Sequence, residues 1–174
     1  QVTFAPESGG ETRLLTASRI LIATGSDVAS IPGVTIDEER IVSSTGALAL
    51  AQVPNRLIVI CGGAIGIELG SVWRRLGAEV VVIEFLDQIL AGMDGEIAKT
   101  MLRILQKQGL RFKLASKVTA ATLTEDGVSL SVEPVKGGAQ EVLAADVVLV
   151  SVGRRPCTDG LGLEAVGVKR DGRG

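Results

Sequence analysis

Between Leu57 and Glu84 the chain runs through an apolar β-favouring stretch, a cluster of glycines, a helical pattern and a second apolar run that ends in an acid. Leu57-Ile58-Val59-Ile60 reads as a buried strand, Gly62, Gly63 and Gly66 follow at once, and the apolar spacing from Ile65 to Leu76 is that of a helix stopped by Gly77. Glu79 to Glu84 (E-V-V-V-I-E) then completes a βαβ unit. Two parallel strands joined by a crossover helix lie in a sheet that must be covered on both faces. The composition suits such a sheet: 46% of residues are hydrophobic but only 2% aromatic, so the core is built from Val, Ile, Leu and Ala.

The flanking segments extend the pattern. Arg19 to Thr24 reads as a buried strand stopped by Gly25, with a loop through Pro32 and Gly33 after it. Ser43 to Leu50 reads as a capped short helix, and Val53-Pro54-Asn55 punctuates the chain before the βαβ unit. Beyond Glu84, a helix from the Asp94 cap to Gln108 places Ile97, Met101, Ile104 and Leu105 on one apolar face, with Gly109 as its stop. Leu110 to Leu114 follows as a third parallel strand. Val118 to Leu123, Val128 to Val132 and Glu141 to Leu143, separated by E-D-G and K-G-G turns, suggest an antiparallel meander laid over the sheet. Asp146 to Ser151 returns as a buried strand, and the glycine-rich tail from Leu161 to Gly174 has no closing element. The expected class is α/β: a Rossmann-like fold, with a parallel sheet, βαβ units and an antiparallel three-stranded meander.

Several function classes are disfavoured. A net charge of -2 without a basic stripe, and four aromatics (three Phe, one Trp), argue against a nucleic-acid partner. The apolar runs fall well short of the roughly 20 residues of a membrane span. Cys61 and Cys157 lie far apart and there is no histidine, which disfavours zinc sites, structural disulfides and His-based triads. Gln1-Val2-Thr3-Phe4 has neither an initiator Met nor a signal-peptide pattern, so the chain reads as the middle of something longer.

The glycine turn carries the chemistry. A Rossmann turn needs glycine where the chain reverses, where backbone approaches a pyrophosphate, and where helix packs on strand. The aligned residues are Cys61, Gly63 and Gly66, with Gly70 a turn further on, so the first position is not glycine. Cys61 reads as a small residue tolerated at the turn rather than as a redox thiol. The turn opens a helix whose amides and dipole suit an anion. Glu84, about 20 residues on, can accept hydrogen bonds from both ribose hydroxyls and would repel a 2′-phosphate, which favours NAD over NADP. Trp73 and the pair Arg74-Arg75 on that helix are assigned to packing against a neighbouring domain and to solvated charge.

The run Cys61 to Leu76 (C-G-G-A-I-G-I-E-L-G-S-V-W-R-R-L) resembles the I-G-x-E-x-G-S-V-W signature of the dihydrolipoamide dehydrogenase family of flavoprotein disulfide reductases. Three more segments are similar to that family in the right order: the A-T-G stretch at Ala23 to Gly25, S-S-T-G-A-L at Ser43 to Leu48, and V-G-R-R-P at Val152 to Pro156. The resemblance implies that Cys61, Gly62, Gly63, Ala64, Ile65, Gly66 and Glu68 wrap the NAD pyrophosphate, with Glu68 toward the nicotinamide. It further implies that Glu84 holds the adenine ribose, Val118 flanks the adenine and Gly153 approaches the nicotinamide half, while Thr24, Gly25 and Ser26 pass near FAD. Residues 1–55 would be the end of an FAD-binding domain and a linker, 56–153 the NAD-binding domain, and 154–174 the start of the return into the FAD domain.

In such an enzyme dihydrolipoamide, carried on lipoyl domains of 2-oxo acid dehydrogenase or glycine cleavage complexes, passes electrons through a redox disulfide and FAD to NAD. The family's redox cysteine pair and His-Glu pair are not in this sequence, so no catalytic residue is assigned within it. The resemblance also implies a homodimer, in the mitochondrial matrix of a eukaryote or the cytoplasm of a bacterium. The alternatives are another FAD/NAD-dependent reductase or an NADH peroxidase of the same superfamily, or a non-catalytic NAD-binding module.

Overall fold

In the computed structural model, which describes residues 1–172, the chain divides into two compact units: Gln1–Ser26 with the segment from Pro156 onward, and Asp27–Arg155. The second unit holds nearly all of the regular structure. Its elements are β3 (Ser26–Val28, entering from the first unit), β4 (Ile41–Val42), α1 (Ser44–Ala49), β5 (Arg56–Ile60), α2 (Ala64–Leu76), β6 (Glu79–Ile83), α3 (Gly95–Lys107), β7 (Arg111–Lys113), β8 (Ser116–Thr124), β9 (Gly127–Pro134), β10 (Glu141–Ala145), β11 (Val147–Val150) and β12 (Arg154–Pro156). Among the described residues no helix is long and apolar enough to cross a membrane.

The central sheet has five strands in the order β4-β11-β5-β6-β7, and each of the pairings is parallel. The chain runs outward from β5 through β6 to β7, then returns to β11 on the other side of β5. That reversal creates a switch point between β5 and β11, and in open α/β sheets ligands bind in the crevice outside the carboxyl ends of the strands at such a point.

Strand alternation feeds two cores. Leu57 and Val59, Val80 and Val82, and Leu149 face the helical side, where Ile67, Trp73 and Leu105 meet them. Ile58 and Ile60, Ile83, Val148 and Val150 face the other side and pack against Val128, Leu130 and Val132 of β9. The antiparallel sheet β10-β9-β8 therefore covers the face opposite the helices, as the meander pattern suggested. Trp73 is 8% exposed within the unit's own core, and an Arg74 guanidinium nitrogen donates to the Ala78 carbonyl. Trp73 thus packs onto its own sheet rather than a neighbouring domain, and Arg74 ties down the end of its own helix.

The caps match the sequence signals. Ser43 accepts from the Thr45 amide at the start of α1, Asp94 accepts from the Glu96 and Ile97 amides at the start of α3, and Gly77 closes α2 in the left-handed region at φ 116.

Three further expectations are corrected. Arg19 to Thr24 forms no strand and is exposed, with Leu21 at 90%, because no described strand hydrogen-bonds to it and an apolar run is a strand only where it has a partner. On α3 the inward positions are Ala98, Leu102 and Leu105, while Ile97, Met101 and Ile104 are exposed. The helix is rotated about its axis from the expected setting, with Leu102 and Leu105 turned into the core on the helical side of the sheet. The tail is not featureless: Leu163–Val166 forms a 3-10 turn whose Leu163 is buried. The first unit also contains a hairpin of β1 (Val2–Phe4) and β2 (Arg13–Leu15), which the sequence did not announce.

Candidate functional site

The register of β5 and β6 pairs Ile60 with Ile83, so the next residues, Cys61 and Glu84, leave the sheet side by side, with Cys61 at the switch point and Glu84 one strand away from it. Cys61 donates its amide to the Ile83 carbonyl (2.8 Å) and turns the chain at φ 85, a left-handed conformation for a residue with a Cβ. The first position of the turn therefore has the conformation that ordinarily calls for glycine, and Cys61 adopts it. Ser151, just past β11, holds the strained turn: its hydroxyl donates to the Ile60 carbonyl (2.9 Å) and lies 3.3 Å from that of Cys61.

Of the two other positions of the turn, Gly66 is required by space and Gly63 is not, since a Cβ at Gly63 would meet only the Cys61 sulfur at 3.7 Å. A Cβ at Gly66 would collide with the Cys61 carbonyl and the Ser151 hydroxyl, while at Gly62 it would come within 3.0 Å of Ile89. Gly63 is the N-cap of α2 and supplies no side-chain cap, so the first-turn amides at Ala64, Ile65 and Gly66 are left for an external acceptor. Glu68 lies one turn into α2 and is exposed.

Glu84 is not a solvated strand-end acid. It is 5% exposed, and its two oxygens accept separately from backbone amides, Oε2 from Gly62 (2.6 Å) and Oε1 from Leu86 (2.8 Å). Each oxygen keeps lone-pair capacity for a further donor, and the carboxylate is held in place before any ligand arrives. Burial pushes the neighbouring Cys61 thiol above its ordinary pKa and the Glu84 carboxylate adds in the same direction, against the opposing pull of the Gly63 amide. The thiol is accordingly protonated at neutral pH. The lowering that a helix N-terminus alone would produce does not prevail.

Cys61 and Glu84 open onto a largely apolar cavity of about 700 Å³ walled by Ile31, Pro32, Phe85, Leu86, Val118 and Val152. The wall from β8 is placed by backbone contacts: Ser116 donates its amide to the Glu84 carbonyl (2.9 Å), and Ala115 to that of Leu86 (2.7 Å). Between Val118 and Ala120 a bulge shifts the strand register, and Gly33, at φ 78, packs where a Cβ would strike the Thr119 carbonyl. That contact brings Ile31 and Pro32 to the site. Gly153, at φ 118, follows Val152 and accepts the Ala29 amide (3.0 Å) on its carbonyl.

The site thus unites Cys61, Gly62, Gly63, Ala64, Ile65, Gly66, Glu84, Val118 and Gly153 around the ends of β5, β6 and β11. Thr24, Gly25 and Ser26 belong to the other unit, where Thr24 donates its hydroxyl to the Cys157 carbonyl and Gly25 accepts the Cys157 amide. Sequence reasoning did not find Ser151, Ile31 or Pro32. Pro32-Gly33 signals a turn, but nothing local says what that turn packs against, and Ser151 acts through contacts with the end of a strand far away in the chain.

Comparison with known proteins agrees with this geometry. A family model described as pyridine nucleotide-disulphide oxidoreductase matches residues 1–174. The chain is 59% identical over its 174 residues to dihydrolipoyl dehydrogenase 3 of Pseudomonas putida, of which it spans 37%, and 54% identical to the mitochondrial dihydrolipoyl dehydrogenase of Bos taurus, of which it spans 34%. It therefore covers about a third of the length of these curated relatives. Among solved structures, LpdA from Mycobacterium tuberculosis superposes with a TM-score of 0.87 at 27% identity, covering 98% of this chain and 36% of that one. The flavoprotein disulfide reductase RclA from Escherichia coli, in a Cu(II) complex of its C43S mutant, superposes at 0.82 with 31% identity, covering 99% of this chain and 37% of that one. With its glycine turn, strand-end acid and switch-point cavity, the chain belongs to the pyridine nucleotide-disulphide oxidoreductase family.

Proposed function

We propose that this chain is the NAD-binding portion of a dihydrolipoyl dehydrogenase, which converts dihydrolipoamide and NAD+ to lipoamide, NADH and a proton through FAD and a redox disulfide outside these residues. The observation that carries the nucleotide assignment is the pairing of an uncapped helix N-terminus at Gly63 with the buried, doubly anchored carboxylate of Glu84. The donor set fits the group: amides for a pyrophosphate, a fixed acceptor pair for ribose hydroxyls, and an apolar cavity for adenine. The names of the relatives support the dihydrolipoyl assignment.

In this reading the backbone from Cys61 to Gly66 binds the pyrophosphate, Glu84 orients the adenine ribose, and Val118 flanks the adenine. Gly153 and Glu68 stand toward the nicotinamide half, which supplies the redox chemistry when bound. Residues 56–153 form the NAD-binding domain, residues 1–55 the end of an FAD-binding domain and a linker, and residues 154–174 the start of the return into the FAD domain, with Thr24, Gly25 and Ser26 near FAD. The intact protein acts on dihydrolipoamide borne by lipoyl domains of 2-oxo acid dehydrogenase or glycine cleavage complexes. It works as a homodimer, in the mitochondrial matrix of a eukaryote or the cytoplasm of a bacterium.

A native mass spectrum of the intact protein, followed by NADH formation from dihydrolipoamide, tests the proposal. A flavin-loaded dimer that reduces NAD in a dihydrolipoamide-dependent way is expected, with Glu84→Gln narrowing its preference for NAD over NADP. A flavin-free species, or one indifferent to dihydrolipoamide, would refute it, and an unchanged preference would remove Glu84 from its role.

A further inference from the structure

The turn after β5 has a side chain where a glycine is called for, and a residue from another strand fastens it. Cys61 holds φ 85, a conformation in which its Cβ is unfavourable. Gly62, Gly63 and the start of α2 follow directly from it, so the direction of their amides depends on that conformation being kept. Ser151 reaches this point from the end of β11, about 90 residues away in the chain. Its amide donates to the Ile60 carbonyl (3.1 Å), which continues the β11–β5 ladder one step past Val150. Its hydroxyl also donates to that carbonyl (2.9 Å) and lies 3.3 Å from the Cys61 carbonyl, so its one proton is within reach of both. The same hydroxyl sits against Gly66, where a Cβ would come within 2.6 Å of it. One side chain thus meets the strand end, the turn and the first turn of α2.

We infer that Ser151 is a positioning residue for dinucleotide binding, required because Cys61 stands at the first position of the turn: its hydroxyl holds the Ile60 and Cys61 carbonyls so that the amides after them stay aimed at a diphosphate. A glycine would hold φ 85 without the Cβ penalty and would need no such fastening. Cys61 and Ser151 therefore act as a pair, and the demand for the hydroxyl depends on the side chain at the turn. Ser151 works through the backbone of Ile60 and Cys61 and not by touching the nucleotide. The inference rests on the turn being the pyrophosphate site proposed above.

The test uses the intact, flavin-saturated protein, with inhibition constants of 5′-ADP and adenosine measured against NAD. Ser151→Ala should weaken 5′-ADP by roughly three- to tenfold, the worth of one hydrogen bond, while adenosine changes by less than about twofold. The KM for NAD should rise with little change in kcat, as for a loss of uniform binding. In a protein already carrying Cys61→Gly, the same Ser151→Ala change should weaken 5′-ADP by less than about twofold. If Ser151→Ala alone does not fold, adding Cys61→Gly should restore both folding and 5′-ADP binding. Equal losses for 5′-ADP and adenosine, equal losses with and without Cys61→Gly, or a double variant that stays unfolded would each overturn the inference while the nucleotide site stands. If 5′-ADP binds the unsubstituted protein no better than adenosine does, the pyrophosphate site and this inference fall together.

Discussion

Cys61 occupies a strained position in the site, and its surroundings show how the strain is carried. A left-handed backbone costs a residue with a Cβ about 1–2 kcal/mol, and here the cost is met by the Ile83 carbonyl on its amide and the Ser151 hydroxyl near its carbonyl. Cys61→Gly should raise the midpoint of urea unfolding and tighten NAD binding, both measurable on the intact protein. Weaker binding would mean that the thiol facing Glu84 matters more than the turn. The same variant reports on the proton. Burial, reinforced by Glu84, raises the folded-state pKa of the thiol above its ordinary 9.0, so its protonated form contributes stability below that value, lost as pH rises through the folded pKa. Stability of the unsubstituted protein should therefore fall more steeply above about pH 9 than that of Cys61→Gly. Parallel slopes would exclude the thiol as the cause. The need for glycine at Gly66 and the placing of an acid at Glu84 were legible from spacing, because these are local demands of a strand, a turn and a helix, whereas the structure leaves room for a side chain at Gly63. The anchoring of Glu84 by Gly62 and Leu86 was not, because a carboxylate's partners depend on how two strand ends meet.

At the scale of elements, α3 separates what periodicity specifies from what packing decides. The pattern from Asp94 to Gln108 announces a helix and its cap. It does not choose among overlapping apolar stripes, and the sheet accepts the one through Ala98 and Leu105. Leu105→Ala should cost about 2–5 kcal/mol in chemical denaturation, whereas Ile104→Gln should stay within about 0.5 kcal/mol. Comparable losses from the two would mean that the helix is turned the other way. A second contact of this kind joins β4 to the meander. Arg40, next to β4, donates to the carbonyls of Thr124 (2.7 Å), Glu125 (3.3 Å) and Gly127 (3.3 Å) around the β8–β9 turn. The E-D-G sequence marks that turn, but the arginine that fastens it lies far away in the chain.

For the molecule as a whole, the division into two units predicts how the chain comes apart. Both hydrophobic cores lie inside Asp27–Arg155, whereas the first unit displays Leu14, Leu15 and Leu21 at 62%, 53% and 90% exposure. Limited proteolysis of the 174-residue chain should cut first within residues 1–26 and leave a resistant product close to Asp27–Arg155. First cuts within β5 or β11 would contradict the division. Residues 27–55 survive in that product because β4 pairs with β11 at the sheet edge and Gly33 seats its loop on the β8 bulge.

By itself the sequence determined the βαβ unit, the glycine turn, the strand-end acid, the meander and the family. The family rests on the resemblance of its motifs; each of the others depends on contacts between residues close in the chain or on a pattern of period 2 or 3.6. Only the tertiary structure decided that Ser151 stabilises the turn of Cys61, that Ile31 and Pro32 wall the cavity, and which face of α3 is buried. These contacts join segments far apart in sequence, and each is selected by the sheet order β4-β11-β5-β6-β7 and by the meander's register, which no local pattern encodes.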